Sequence, residues 1–215
     1  MIIIGLTGSI GMGKSTTLRL FEDEGCSVWD ADAAVHRLYA PGGRAVARVE
    51  VLFPGTTSLK GGVDRSLLAD RLRADPSGFP TLEAVVHPLV REDRQAFLAT
   101  AQKAGSTFAV VDVPLLFETG AETEVDVVVV ASAPADVQRR RVLDRPGMTV
   151  ARFEQILARQ MPDADKRSQA DFVVDTGRSI AVARDQVRVI LETLSTPGWL
   201  PKRSSGLHRR SERSE

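Results

Sequence analysis

Apolar residues follow two rhythms along this chain, and the rhythms alternate. Short runs rich in β-branched residues occupy Ile2–Thr7, Ser27–Asp30, Phe108–Val113, Val125–Ala131 and Phe172–Asp175. The middle runs are apolar throughout, as strands covered on both faces are. Between the runs, apolar positions recur near helical spacing: Ser15–Glu24, Leu82–Ala104, Ala135–Leu143, Val150–Gln160 and Ser179–Leu194. The long segment shows it best, with Leu82, Val85, Val86, Leu89, Val90, Phe97 and Leu98 close to one face. Alternation of this kind predicts an α/β fold, a parallel sheet with helices on both faces. Ligands of such folds gather at the carboxyl ends of the strands.

Two stretches depart from the rhythm. From Asp32 to Phe108 there is no convincing strand, only helical pieces and turns such as Pro41-Gly42-Gly43 and Lys60-Gly61-Gly62. A crossover loop of that length is not expected, so the stretch reads as an inserted helical lobe. The second departure is Arg139–Thr149, where arginines crowd before Pro146-Gly147; a helix ends there and a hinged segment begins. The tail from Pro201 to Glu215 is polar, basic and nearly free of apolar residues, a composition that predicts disorder.

Composition narrows the class. Lys+Arg and Asp+Glu number 28 each, so no net charge draws the chain to nucleic acid or membrane. The apolar runs are too short to span a bilayer. The chain opens on its first strand, without the basic segment and cleavage site of a secretory signal. Cys26 is the only cysteine, which excludes an intrachain disulfide and reads as a buried, inert thiol. A cytoplasmic enzyme is expected.

The chemistry starts at Gly8–Ser15, GSIGMGKS, which fits the P-loop pattern G-x-x-x-x-G-K-[ST] between a strand and a helix. Its glycines let backbone amides approach a polyphosphate, and the helix that follows adds its positive end. Lys14 then reaches the β- and γ-phosphates, and the Ser15 hydroxyl holds Mg²⁺. Asp30 and Asp32, two apart at the end of the second strand, would share a side there and suit an attacking hydroxyl or a metal contact. The alternative is a helix cap by Asp32 before Ala33. Asp112, ending the third strand, stands where a carboxylate behind Mg²⁺ is expected, or serves as a turn residue. His87 before Pro88 reads by itself as a turn or cap histidine. Arg139, Arg140, Arg141 and Arg145 match the spread charge of a transferring phosphoryl group. Beside a Pro-Gly hinge they suggest a closing lid that excludes water.

In order and spacing, these segments resemble the dephospho-coenzyme A kinase family. The landmarks are IGLTGSIGMGKST at Ile4–Thr16, DAD at Asp30–Asp32 with His36, PGG at Pro41–Gly43 and GGVDR at Gly61–Arg65. They continue with LEAVVHPLV at Leu82–Val90, VPLLFE at Val113–Glu118, the arginine segment, Arg159-Gln160 and ADFVVDTG at Ala170–Gly177. The resemblance implies ATP-dependent phosphorylation of the ribose 3′-hydroxyl of dephospho-coenzyme A, with Mg²⁺. It implies one P-loop kinase domain over residues 1–200, with a five-stranded core at 1–32 and 108–195. A helical acceptor lobe would cover about 33–107 and a lid about 139–165. Gly11, Met12, Gly13, Lys14, Ser15 and Thr16 would hold ATP, with Arg141 and Arg145 as lid arginines. Lys14, Arg141 and Asp32 would carry catalysis, Asp32 by engaging the acceptor hydroxyl. His36, Asp64, Arg65 and His87 would belong to the acceptor side, while Arg139 and Arg140 become surface charge. Ser15 would take the metal, with Asp112 behind it.

The resemblance breaks at three places. The family commonly has Asn where Thr176 follows Asp175, near the adenine. The lid carries Pro146-Gly147 where acidic residues are frequent, and the tail after Pro197 has no counterpart. Other functions fit less well. A nucleoside or nucleoside monophosphate kinase shares the fold class, but HPLV and PLLFE favour coenzyme A. A regulatory GTPase should show Asn-Lys-x-Asp and an Asp-x-x-Gly after the third strand, whereas Asp112-Val113-Pro114-Leu115 lacks the glycine. The basic tail has no aromatic residue to stack on bases, so no nucleic-acid partner is expected. No membrane and no obligate protein partner are inferred either.

Overall fold

In a computed structural model, residues 1–200 are described; the tail expectation at 201–215 lies outside them. Five strands form one sheet in the order β2-β3-β1-β4-β5. They are β1 (Ile2–Thr7), β2 (Ser27–Asp30), β3 (Phe108–Asp112), β4 (Val127–Ser132) and β5 (Phe172–Asp175). β1 runs parallel to both β3 and β4, with Leu6 opposite Asp112 on one side and Val129 on the other. β4 runs parallel to β5. The chain leaves β1 toward the β2–β3 side and later returns to the β4 side. The carboxyl end of β1 is therefore the switch point, where the crevice of an open α/β sheet opens.

The sheet is buried because its side chains demand it. Ile4, Leu6, Val110, Val127 and Val129 are fully buried and pack with Phe21 and Leu18 of α1 (Lys14–Asp23). They also meet Val187 and Ile190 of α9 (Ile180–Leu194). Cys26 lies in this core, and burial first, then the nearby Glu24 charge, pushes its thiol up to about 11, so it stays protonated and inert.

Residues Trp29–Lys103 form a compact unit of their own; Met1–Val28 and the chain from Ala104 onward form the other. The first of these holds α2 (Ala31–Tyr39), α3 (Val46–Leu52), α4 (Arg65–Ala74) and α5 (Gly78–Lys103) around Leu38, Val49, Leu68, Leu72 and Leu89. An isolated bridge pairs Thr57 with Val63.

Several boundaries differ from those the apolar pattern predicts. The fourth strand starts at Val127, not Val125, because Asp126 spends its carboxylate on the Ile3 amide at 2.8 Å. α5 begins earlier than Leu82 and runs through Pro88. His87 is therefore mid-helix rather than at a turn or cap: proline removes one helical hydrogen bond, and buried Val86 and Leu89 on either side hold the helix together. α6 (Ala135–Leu143) matches its expectation, but α7 (Val150–Leu157) stops early. α8 (Asp163–Gln169) has no apolar stripe to announce it; Pro162 as its cap and Asp163 and Asp165 in its first turn are what start it.

Candidate nucleotide site and acceptor residues

The P-loop turns from β1 into α1 on left-handed glycines. Gly13 (φ 84°) is the N-cap of α1, so Lys14 and Ser15 are its first residues, with their amides at the positive end. A Cβ at Gly13 would lie 3.0 Å from the Thr176 side chain, so only glycine fits both the turn and the neighbour. Thr176, 8% exposed, braces the loop from below. Its hydroxyl donates to the Met12 carbonyl at 2.8 Å and lies 3.2 Å from that of Ser132. The same hydroxyl accepts from Arg141 Nη1 at 3.3 Å, and the Thr176 carbonyl accepts from Nη2 at 2.7 Å.

A cavity of about 360 Å³ opens over this loop. Gly11 to Thr17 line one side; Arg141, Arg145, Thr176, Arg178 and Ser179 line the other. Six ATP residues expected from sequence and both expected lid arginines thus share one cavity. Arg139 and Arg140 are exposed on α6 and do not line it. Sequence reasoning places Thr176 near the adenine without assigning it a site role, and misses Arg178 and Ser179. Their signal is present in ADFVVDTG: a fifth strand ends there, so its exit faces the same crevice.

Asp112 ends β3 beside Leu6 and is 5% exposed. Ser15 is exposed in the first turn of α1. A hydroxyl and a carboxylate are hard oxygen donors, which is the chemistry Mg²⁺ takes when phosphates complete its shell. Among the described residues no cluster of three or more His, Cys, Asp or Glu stands ready to hold a metal by protein ligands alone.

The segment after β3 adds a buried ion pair. Lys166, 0% exposed, meets Glu118 at 2.8 Å. Glu118 also accepts from the Met161 amide. Burial raises the Glu118 carboxyl, but Lys166 and that amide outweigh it and leave it below the ordinary value.

The acceptor candidates lie in the helical unit. Asp30, not Asp32, caps α2, accepting from the Ala33 amide at 3.0 Å. The helix starts at Ala31, so Asp30 and Asp32 do not share a strand face, and Asp32 stands exposed in the first turn. His36 is exposed one turn further on. GGVDR comes alongside: the Val63 amide donates to the Tyr39 carbonyl at 2.8 Å, and the Arg65 guanidinium lies 5.7 Å over the Tyr39 ring. Asp64 spends one oxygen on capping α4, accepting from the Ser66 hydroxyl and from the Ser66 and Leu67 amides. The Ser66 hydroxyl first, then the Leu67 amide, holds its carboxyl below the ordinary value. His87 is exposed on α5.

Comparison with known proteins decides among the kinases that share this fold. The family model for dephospho-CoA kinase matches residues 2–181. The chain belongs to the dephospho-CoA kinase family. It is 58% identical over 194 residues to the dephospho-CoA kinase of Agrobacterium fabrum, covering 90% of this chain and 98% of that one. The TT1252 crystal structure from Thermus thermophilus is 34% identical, with a TM-score of 0.73 over 91% of this chain and 98% of its own. Dephospho-CoA kinase from Campylobacter jejuni superposes with a TM-score of 0.69 at 23% identity, covering 90% and 96%, which supports the fold. In this chain Thr176, the residue after β5, works on the P-loop backbone.

Proposed function

We propose that this protein transfers the γ-phosphoryl group of ATP to the ribose 3′-hydroxyl of dephospho-coenzyme A, giving coenzyme A and ADP. It is a phosphotransferase, and family membership carries the conversion of dephospho-CoA to CoA. The observation that supports the donor half best is the glycine-turned cradle with Lys14, Arg141 and Arg145 on one cavity.

The amides of Gly11, Gly13, Lys14 and Ser15 and the Lys14 ammonium hold the β- and γ-phosphates, the Met12 amide being spent on the Ser9 carbonyl. The transition state is loose and spreads charge over the γ-oxygens, so positioned cations do most of the work. Arg141, held by Thr176, is set for that charge; Arg145 joins it from the hinge. Asp32 accepts the proton of the 3′-hydroxyl and orients it, so that the oxygen–phosphorus bond forms as the bond to ADP breaks. His36, Arg65 and His87 bind the acceptor, and Asp64 fixes the helix end that presents Arg65. Ser15 would hold Mg²⁺ with Asp112 behind it, and the ion would neutralise charge on the β- and γ-oxygens. Residues 139–165 serve as the lid over this chemistry and 33–107 as the acceptor lobe. No described helix is long and apolar enough to cross a membrane, and we assign the work to the cytoplasm.

The test is a coupled assay with ATP, Mg²⁺ and a panel of acceptors: dephospho-CoA, AMP, CMP, adenosine, phosphopantetheine and none. Fast turnover is expected only with dephospho-CoA, with little hydrolysis when the acceptor is left out. Equal or greater turnover of AMP or CMP would overturn the reading, and phosphate found elsewhere than the 3′ position would overturn the regiochemistry.

A further inference from the structure

Ile10 sits at the crown of the P-loop, and both of its backbone groups are taken by glutamines. Its amide donates to Gln160 Oε1 at 3.0 Å, and its carbonyl accepts from Gln138 Nε2 at 2.8 Å. The polarity is fixed by the partners: an amide N–H can only donate and a carbonyl only accept, so the two side chains must face Ile10 with opposite ends. Neither glutamine is a loose surface group. Gln138 is 6% exposed on α6. The residue after Gln160 has its amide held by Glu118, which is locked in turn to buried Lys166.

We propose that Gln138 and Gln160 are positioning residues for the phosphate cradle, a pair that locks the peptide planes on either side of Ile10. With both groups turned onto glutamines, Ile10 is spent, as is the Met12 amide, which donates to the Ser9 carbonyl at 3.1 Å; the amides of Gly11 and of Gly13 to Thr16 are the ones left to meet phosphate. The grip continues along the loop. A Cβ at Gly11 would lie 2.5 Å from Val142 Cγ2, so α6 packs directly on the loop. One turn along that helix, on the same face as Gln138, Arg141 holds Thr176, which holds the Met12 carbonyl.

The pair also brackets the hinge. Gln138 precedes Pro146-Gly147 and Gln160 follows it, and both end on the same residue. Residues between them are tied to the P-loop from both sides, so the cradle's shape and the placing of the lid arginines are linked. This step rests on the proposed role of 139–165 as the lid over ATP; the locking of Ile10 does not.

One substitution made at two positions tests the pair. Gln→Glu keeps an acceptor oxygen but loses the donor, and it adds the same charge at both positions. Gln160→Leu should weaken ATP binding about tenfold, the consequence of leaving a sheltered amide unpaired, and Gln160→Glu should recover most of that loss. Gln138→Glu turns an oxygen toward the Ile10 carbonyl and should be at least as damaging as Gln138→Leu. ATP affinity by calorimetry is the first readout, and KM for ATP against KM for dephospho-CoA the second; the latter should move less than about twofold. Melting curves identify any variant that has not folded, for which Gln138→Met is the substitute. Equal effects of Gln→Glu at the two positions, whether none or large, would overturn the proposal, since charge alone would then account for them. Wild-type protein that binds ATP but does not phosphorylate dephospho-CoA would instead overturn the kinase reading and leave the calorimetric comparison standing.

Discussion

The two units solve the problem of holding chemistry in different ways. In the sheet unit, the candidate nucleotide site is made of backbone, and side chains brace the backbone: Thr176, Gln138 and Gln160 all end on P-loop amides or carbonyls. In the helical unit the candidate residues Asp32, His36, Arg65 and His87 are exposed side chains on three helices. What is fixed there is the helices. Trp29 Nε1 donates to Asp93 at 2.7 Å, Arg37 pairs with the same carboxylate, and the apolar cluster around Leu38 and Leu89 does the rest. A polyphosphate is recognised by a rigid shape that a short local motif can write. A large acceptor is recognised by groups gathered from distant parts of the chain. The first should tolerate almost no change, and the second should lose function in steps.

The largest effect is expected at the cradle. Lys14→Ala should lower turnover on the order of 10³-fold, since it removes a cation from the charge that moves during transfer. Circular dichroism should be unchanged, because Lys14 caps nothing and bridges no core residue. Near-normal turnover of a folded Lys14→Ala protein would show that the cradle does not serve the reaction.

Asp32→Asn comes next and probes the other unit. A positioned base is worth roughly 10²–10⁴ in rate, and loose phosphoryl transfer needs little early deprotonation, so the loss should sit near the lower figure. ATP affinity should hold. Asp30→Asn should act differently: as the cap of α2 it should cost stability of about 1 kcal/mol or less with turnover largely retained. Turnover of Asp32→Asn within about twofold of wild type would move the role to another residue.

The cradle and the start of α2 also differ in how far the amino-acid sequence alone reveals them. GSIGMGKS specifies its own strand, loop and helix, because glycine spacing and an adjacent apolar run are local signals. WDAD does not: whether Asp30 or Asp32 caps α2 depends on which residue ends the strand, a choice made by sheet pairing. His87 resembles a turn residue because proline follows it, yet the apolar stripe on both sides carries the helix through. α8 is invisible for the opposite reason, having only Lys166 to bury. The role of Thr176 is hidden because a single threonine after a strand says nothing about which backbone it will meet. The glutamines Gln138 and Gln160 are equally silent, being far apart in the chain and joined only through Ile10.

The arginines divide the sheet unit more finely. Arg141→Ala should raise KM for ATP about tenfold and lower turnover, since it removes a charge-assisted contact of the kind worth about 1.5–3 kcal/mol. Arg145→Ala should follow with a smaller effect, because Arg145 is exposed in the turn after α6. Arg139→Ala should leave steady-state kinetics within error. Three indistinguishable mutants would mean that the cluster is a solvated face and that only the P-loop side of the cavity matters.

The smallest effect, and the sharpest on the helical unit, concerns Asp93. Trp29 is 5% exposed, so Asp93→Ala leaves a sheltered indole N–H without its partner and should cost about 1–3 kcal/mol. For a chain of this size that lowers Tm by a few degrees, roughly 3–8 °C. Asp93→Asn keeps an acceptor for the indole and should cost less at pH 7. The difference should depend on pH. Burial raises the Asp93 carboxyl, but Trp29 and Arg37 together outweigh it and hold the group below its ordinary value. A depressed carboxylate contributes stability above its unfolded pKa, about 4, and loses it as pH falls further through the folded value. Wild type should therefore lose its advantage over Asp93→Asn as the pH falls below about 4, not between about 5 and 7. Because α2 carries both Arg37 and Asp32, Asp93→Ala should also raise KM for dephospho-CoA several-fold while KM for ATP stays put. If both constants rise together, the helical unit supports the whole enzyme rather than the acceptor residues alone, and the contrast between the two units fails at this point.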